Sequence, residues 1–508
     1  GVDVDTTGYL VAALNADIQT ADVQKTSKDY EVPFNIFDRL VDVEVDADGN
    51  SKIVPSLAES WDISDDGLEY TFHLRQGVKF HNGNDFTAED VAYTFHRMLT
   101  VEGGVNTEFI DQIKGADELL AGETDTLEGV EVVDDYTIKV TLKEPFAGFL
   151  ASISSPGVSI YDSEATEAAG DQFGMDPAVT VGTGPFEFSS WSFNNQLVLT
   201  RNEDYWKGAS GLPGVVIKII PDTETQSMMF ESGELDILDL DYAADSADRF
   251  TETYPDQIVQ GPRVGIVYFT MNFNKEPFQD VRVRKAVQMS IDRQAILDAL
   301  YGGGQVEQGI FPHGLIGFNP DQEEIKYDPE AAKALLAEAG YADGFDMEIA
   351  ADSSASDTMT MALEIVSDQL AEVGIRAEIK NYDESTWLET RKSGELGSFM
   401  STWSADYNDP DNFIYTFFGN EEKTRIRSIN YPDTEVMERV AKARTLVNED
   451  ERLAEYKALE EKLIHEDAAW VPMFSRLHLF AVSKRVQGFA PLWSGLSDQL
   501  FYNISLSE

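Results

Sequence analysis

Between Tyr327 and Ala405 the spacing of apolar residues changes period at every turn signal, and this alternation limits the possible fold more than any other stretch. Tyr327-Asp328-Pro329 reads as a helix start: Asp328 suits the cap, and Pro329 suits the first helical position, where no backbone N–H is needed. Ala332, Leu335, Leu336 and Ala339 follow at i, i+3, i+4 and i+7, and Gly340 ends the helix. Phe345 to Ala350 reads as a strand. Met359, Ala362, Leu363, Val366 and Leu370 form a second amphipathic helix that stops at Gly374, and Ile375, Ala377 and Ile379 alternate as the next strand. Trp387 to Lys392 sits in a short helix, and Ser398 to Thr402 is strand-like. Strands separated by helices cannot pair as tight hairpins. This βαβαβ order predicts an α/β fold, with a parallel sheet and helical crossovers. Two more helices are expected, from about Pro432 to Val447 and from about Asp450 to His465.

The first 145 residues read differently and are rich in strand signals. Leu40 to Val45 is an apolar-rich run ending at the turn Asp46-Ala47-Asp48-Gly49. Apolar positions alternate strictly from Tyr136 to Leu142, and Asp134-Asp135 joins that run to Val130–Val133 as a hairpin. Phe86 to Met98 reads as a helix, with Thr87 as N-cap and Glu89-Asp90 in the first turn, where the helix dipole favours acid. At 508 residues the chain is too long for one core, and length alone suggests roughly three domains. No Pro/Gly/Ser linker and no repeat divides it, so the units are expected to be discontinuous.

Charge excludes several functions. Acids number 92 and bases 38, a net charge of −54. Phosphate backbones and anionic membrane surfaces are repelled, so nucleic-acid binding is not expected. The acidity fits a salty habitat, where a Debye length of about 3 Å at 1 M screens the self-repulsion. With no cysteine there is no disulfide, thiolate metal site or cysteine nucleophile. No apolar run approaches the ~18 residues of a membrane span. The sequence starts abruptly at Gly1 with no signal peptide, so an exported protein would have lost its leader, together with any lipid anchor. Six histidines are scattered without an HExxH pattern, and His73 and His81 read as structural. There is no GxSxG elbow. Gly302-Gly303-Gly304 lacks a strand–helix context and reads as a loop. Carboxylate pairs for glycoside hydrolysis cannot be distinguished among 92 acids.

Two segments carry candidate binding chemistry. Trp403-Ser404-Ala405-Asp406-Tyr407-Asn408-Asp409-Pro410 closes the strand from Ser398. In an open α/β sheet, ligands sit beyond the carboxyl ends of the strands. Asp406 is therefore placed to meet a cationic group, unless it caps the short helix that follows. Trp403 offers a flat apolar wall, and Ser404 offers backbone groups. The second segment is Tyr30-Glu31-Val32-Pro33. Proline confines an extended segment to a sheet edge, where an extended peptide could add as a strand.

These features resemble the family-5 extracellular solute-binding proteins of ABC importers, the oligopeptide- and dipeptide-binding type. The resemblance runs through Leu57–Trp61, Tyr70–His81, Phe86–Val91, Val181–Phe186, Arg201–Trp206, Asp280–Ala286, Ser290–Arg293 and Tyr327–Lys333, in order along nearly the whole chain. Most of these motifs read as structural: Asp280 and Arg284 as i, i+4 partners, Gly182 and Gly184 as turn residues. The resemblance implies a fold like that of type II periplasmic binding proteins, with a ligand cleft between two lobes. Lobe I would comprise residues 1–45, 177–268 and 478–508, with 46–176 as an inserted subdomain, and lobe II residues 269–477. Hinge crossings are implied near Tyr268–Asn272 and near Ser475–Leu479.

The function implied is capture of peptides by hinge closure and delivery to the importer's permease subunits, without enzymatic activity or cofactor. Asp406 would take the peptide ammonium, with Trp403, Ser404 and Tyr407 around it, and Val32 and Tyr30 would lie in a strand pairing with the peptide backbone. The implied protein is a periplasmic or extracellular monomer at the cell surface, peripheral to the membrane, with lipid anchoring left open. Dipeptide-specific members carry an arginine that clamps the peptide carboxylate. The matching position here is Ser353, beside Asp352, and serine cannot form a bidentate fork. Longer peptides are therefore expected, with Arg391 or Arg263 open for that role. The alternatives are another cargo (an oligosaccharide, an opine or a metal chelate) or a secreted hydrolase.

Overall fold

The computed structural model describes residues 3–494 and 499–508. Contacts group the chain into two units. Unit 1 takes Gly1–Glu44, Lys52–Pro262 and His478–Glu508, and unit 2 takes Val45–Ser51 and Arg263–Leu477. Both mix helices and strands.

In unit 1, Leu10–Leu14 runs parallel to Gly214–Ile219, and the sheet continues antiparallel through Gln196–Arg201 to Phe186–Ser192. Leu10, Leu197, Leu199, Val215 and Ile217 from these strands share one core with Val32, Ile36 and Phe37. A second, antiparallel sheet takes Ala58–Ile63, Glu69–Leu74, Thr137–Thr141 and Val130–Asp134. The alternation read in the sequence places Ile138 and Val140 inward, both fully buried. The helix Ala88–Thr100 packs on this sheet. Its start is fixed by the Thr87 backbone N–H, which donates to the Asp90 carboxylate at 2.9 Å.

The expected edge strand at Tyr30–Pro33 is corrected. Glu31–Ile36 is a short helix. Phe34 N–H donates to Tyr30 O at 2.9 Å, and Phe37 N–H donates to Pro33 O at 3.1 Å. Pro33 falls in the first turn, where a missing N–H removes no intrahelical bond. Val32 is fully buried, and the Tyr30 hydroxyl accepts a bond from Asn106 Nδ2 at 3.1 Å. With their backbone in a helical turn and their side chains in the core, Val32 and Tyr30 offer no strand edge for peptide pairing.

The end of this helix explains Gly182 and Gly184 better than a turn does. Gly184 N–H donates to Ile36 O at 2.8 Å. A Cβ on Gly182 would lie 2.1 Å from Ile36 O, and one on Gly184 would lie 2.4 Å from Ile36 C. The glycines are required by close backbone approach. His81 holds the same segment: its Nδ1 accepts from Gly182 N–H and its Nε2 donates to Gly184 O, both at 3.0 Å. That pair of bonds needs a neutral ring, and burial pushes its pKa down to about 4.

Unit 2 contains the strands β1 (Gly265–Thr270), β2 (Gln305–Val306), β3 (Phe345–Asp352), β4 (Ile375–Tyr382), β5 (Met400–Ser404) and β6 (Trp470–Ser475). Its helices include α1 (Val281–Ser290), α2 (Arg293–Leu300), α3 (Pro329–Glu338), α4 (Asp357–Glu372), α5 (Glu384–Lys392), α6 (Asp411–Phe418), α7 (Glu421–Ile426), α8 (Thr434–Ala443) and α9 (Glu449–Glu460). The last continues as a π-helical turn through Glu466. Helix starts follow the cap residues: Asp328 accepts from Ala331 N–H at 3.0 Å, and Ser356 Oγ accepts from Met359 N–H at 3.2 Å. β3 and β4 pair in parallel from Phe345↔Ile375 to Asp352↔Tyr382. Ile349, Ala362, Leu363, Val366, Leu370 and Ile375 close one core with Val267, Phe269 and Val471.

Two expectations are corrected here. β5 does not extend the parallel ladder. A single parallel bridge joins Ile349 to Ser398, after which β5 runs antiparallel to β1, from Phe269↔Met400 to Gly265↔Ser404. β1 is buried along its whole length and pairs on its other side with β6, so β5 satisfies a backbone edge that would otherwise lie inside the unit. Nor do the side chains of Asp280 and Arg284 form an ion pair; Arg284 N–H bonds Asp280 O at 3.2 Å within the helix. Asp280 caps α1 by accepting from Arg282 N–H at 2.9 Å and pairs with the Arg282 guanidinium at 2.7 Å. Arg284 instead donates to Asp467 O at 2.9 Å and lies 4.2 Å from the centre of the Phe273 ring.

Gly182→Ala is expected to destabilise unit 1 by about 1–3 kcal/mol, because the added methyl meets backbone that cannot yield. Chemical denaturation should show a lower midpoint; an unchanged midpoint would refute the close-approach explanation.

Candidate functional site

The site is built where β5 leaves the sheet. Ala405 N–H still bonds Val264 O at 3.1 Å, beyond which the chain turns away as a loop that ends in α6. Buried polar side chains set the path of this loop. Asn408, fully buried, donates to Gly314 O at 2.9 Å and accepts from Ile316 N–H at 2.8 Å. Asp409 is 3% exposed and takes both arms of the Arg452 guanidinium, one at 2.8 Å; Arg452 is 4% exposed. The Asp409 carboxylate also accepts from Asp411 N–H at 2.9 Å, which starts α6 immediately after Pro410. Asp411, also buried, accepts from the Tyr407 hydroxyl at 2.7 Å and from Arg444 Nη2 at 3.3 Å.

Asp406 has a different environment. Its side chain is exposed, and it does not cap α6. The Asn412 side chain clamps it from both ends: Asn412 Oδ1 accepts from Asp406 N–H at 2.9 Å, and Asn412 Nδ2 donates to Asp406 Oδ2 at 3.3 Å. Surrounding protein strips water from the carboxyl and pushes its pKa above the ordinary value, while the Asn412 bond and the Arg427 charge pull it back. The carboxylate oxygens therefore face outward on a fixed loop, incompletely solvated. This geometry suits an incoming hydrogen-bonding cation.

Trp403, Ser404, Asp406 and Tyr407 are brought together on one strand end and loop in unit 2. Val32 and Tyr30 lie in unit 1, in the core described above. Trp403 is partly buried, its Nε1 donates to Asn412 O at 3.0 Å, and Phe417 meets its ring edge-to-face at 5.9 Å. One face of the indole carries the Arg427 guanidinium, 4.9 Å from the ring centre, so it is a cation-bearing surface more than a bare apolar wall. Ser404 is exposed at the last β5 position. Tyr407 is engaged with Asp411, and burial holds its phenol well above its ordinary value, so it acts as a support for the loop. Ser353 N–H bonds Tyr382 O at 2.9 Å, and Asp352 accepts from Ser354 N–H at 2.9 Å, which leaves no clamp at the position matching the dipeptide arginine. Arg391 donates to Ile426 O at 3.1 Å beside Trp387.

Sequence reasoning missed Asn412, Arg427 and Arg452. Asn412 had a faint signal, a polar residue one turn into the helix after Asp409-Pro410. The two arginines reach the loop from other helical segments, and nothing local marks them. Among the described residues no group of three or more His, Asp or Glu is placed to hold a metal, and no helix is long and apolar enough to cross a membrane.

Removing Arg452 would leave Asp409 buried and uncompensated. Arg452→Met is expected to cost about 3–5 kcal/mol, and adding Asp409→Asn should recover part of that loss. Denaturation midpoints of the single and double variants test this; a single variant as stable as the wild type would show that the pair does not hold the loop.

The family described as "Bacterial extracellular solute-binding proteins, family 5 Middle" matches residues 52–425. The chain is 33% identical to heme-binding protein A of Haemophilus influenzae, covering 93% of this chain and 87% of that protein. It is 31% identical to di/tripeptide-binding protein 2 of Pseudomonas aeruginosa, covering 87% and 85%. Among solved structures, HbpA2 from Haemophilus parasuis superposes with a TM-score of 0.85 at 28% identity, over 98% of this chain and all of that one. The periplasmic binding protein DppA from Helicobacter pylori, in complex with the peptide STSA, superposes at 0.68 with 28% identity over 98% of each. The chain belongs to the bacterial extracellular solute-binding proteins of family 5.

Proposed function

We propose that this protein is the substrate-binding component of an ABC importer and that it captures peptides by their amino terminus. The observation that carries the reading is the Asp406 carboxylate: exposed, and clamped by Asn412 on a loop pinned by Asp409 and Arg452. A charge-assisted bond between a protonated amine and such a group contributes roughly 1.5–3 kcal/mol. Relatives named for di- and tripeptide binding, and a structural neighbour holding the peptide STSA, support a peptide cargo. On this reading units 1 and 2 correspond to lobe I, with its inserted subdomain, and lobe II. The protein works as a monomer outside the membrane and hands its cargo to permease subunits, with no catalytic step of its own. A neutral sugar would not require a carboxylate at this point.

Three measurements test this. N-acetylated peptides should bind far more weakly than free ones, and equal affinity in calorimetry would reject ammonium recognition. Asp406→Asn should weaken binding of free peptides at least tenfold. It should leave the unliganded protein no less stable, because Asn412 keeps its acceptor and the penalised charge is gone. The pH dependence follows from the raised carboxyl pKa. As pH falls through it, Asp406 takes up a proton and loses the counter-charge, while the peptide amine stays protonated. Affinity should therefore drop on mild acidification, and Asp406→Asn should abolish that drop. A wild-type affinity that is flat down through the carboxylate range would sink the assignment.

A further inference from the structure

Adjoining the Asp406 loop, unit 2 holds a cavity of about 130 Å³, far larger than the ~10–15 Å³ that admits one water. Val267 of β1 and Phe474 of β6 give it an apolar floor. Its polar wall is formed by Arg263, which precedes β1, Arg476, which follows β6, Ser404 of β5 and Ser356, the cap of α4. Among the described residues no carboxylate lines it, in a chain where acids outnumber bases 92 to 38. The buried arginines of unit 2 have internal tasks: Arg284 and Arg293 bond carbonyl oxygens, and Arg452 bonds Asp409. Arg263 is half-buried and enters none of the ion pairs formed among the described residues. Arg476 stands beside Tyr301, its guanidinium carbon 5.4 Å from the ring centre. The first turn of the sixteen-residue α4 lines the same space and adds the positive end of a helix dipole.

We infer that this cavity is an anion subsite that takes a carboxylate of the cargo, with Arg263 and Arg476 as its charged partners. A guanidinium fork meets the two oxygens of a carboxylate in one plane. Ser404 stands in the wall, two residues before Asp406, and two extended residues span about 7 Å. An ammonium at Asp406 and a carboxylate in the cavity are thus separated by a distance that a short peptide covers. The carboxylate is either the C-terminus of a short peptide or an acidic side chain next to its amino end. Either source replaces the clamp that is absent at Ser353, with arginines delivered by strand ends far away in the sequence. The identity of the cargo rests on the peptide reading above; the anion subsite itself does not.

Calorimetry at fixed salt should use three probes: Ala-Ala-Ala, its C-terminal amide, and Ala-Asp-Ala amide. The wild type is expected to bind at least one carboxylate-bearing probe tenfold or more tighter than the neutral amide, and which probe it prefers identifies the source. Arg263→Met and Arg476→Met should reduce that preference to within about twofold, with Arg263→Lys intermediate because it keeps the charge and loses the fork. A preference that survives both methionine variants, or a wild type that treats all three probes alike, overturns the subsite while peptide binding stands. If the wild type binds none of the probes, the peptide reading fails and the subsite is judged separately. Acetate should then protect Arg263 from phenylglyoxal, read by peptide mass spectrometry, and absence of protection overturns the subsite as well.

Discussion

The Asp409–Arg452 pair is the interaction on which the site depends. Both groups are almost wholly buried, and an unpaired charge at such depth costs several kcal/mol. Neither can leave the other, so the loop between β5 and α6 cannot relax without exposing or orphaning a charge. The same carboxylate also accepts the first free amide of α6, and the Arg452 guanidinium continues to the Tyr456 hydroxyl at 3.3 Å. One ion pair thus ties α9, the start of α6 and the loop into a single support. Three acids lie within six residues, and their partners separate their roles. Asp409 has Arg452, Asp411 has Arg444 and the Tyr407 hydroxyl, and Asp406 is left to the Asn412 amide and a more distant charge.

Acid excess makes arginine placement informative. Some buried acids are matched by a base: Asp22 with Arg97 at 2.8 Å, Asp236 with Arg485 at 2.6 Å, and Asp409 with Arg452. With 38 bases for 92 acids, most carboxylates must rely on water and salt. Arg263 pairs with none of them among the described residues. Its neighbours fit this, since among the described residues the cavity wall offers it hydroxyls, a helix amino end and no acid.

Much of this was legible in the sequence, and the failures share a cause. The helix starts at Asp328 and Thr87, the alternation of Tyr136–Leu142 and the parallel β3–β4 pair follow from local spacing and cap chemistry. The strand leading into the Asp406 loop was also legible, but its partner was not. β5 pairs with β1, which lies far earlier in the chain, and no local pattern names a partner at that separation. Tyr30–Pro33 failed because proline is compatible with a sheet edge and with the first turn of a helix. What decides between them is the burial of Val32 and Ile36 against strands contributed by much later segments. Arg427 and Arg452 were invisible for the same reason, since their importance comes from the tertiary neighbours they meet.

Arg427 also acts on Asp406, adding its charge to the larger effect of the Asn412 bond in holding the carboxyl pKa down. Its guanidinium lies 4.9 Å from the centre of the Trp403 ring and 5.4 Å from that of Phe417, and its buried Nε has no hydrogen-bond partner. The two aromatic faces hold the cation where its field lowers the Asp406 pKa but where it forms no direct ion pair with the carboxylate. A closer arginine would occupy the oxygens and compete with any incoming amine. A more distant one would leave desolvation opposed by the Asn412 bond alone. The observed arrangement lies between these limits, with the charge retained by a remote field and the lone pairs left open, and it explains why an indole and an acid three residues apart belong to one site.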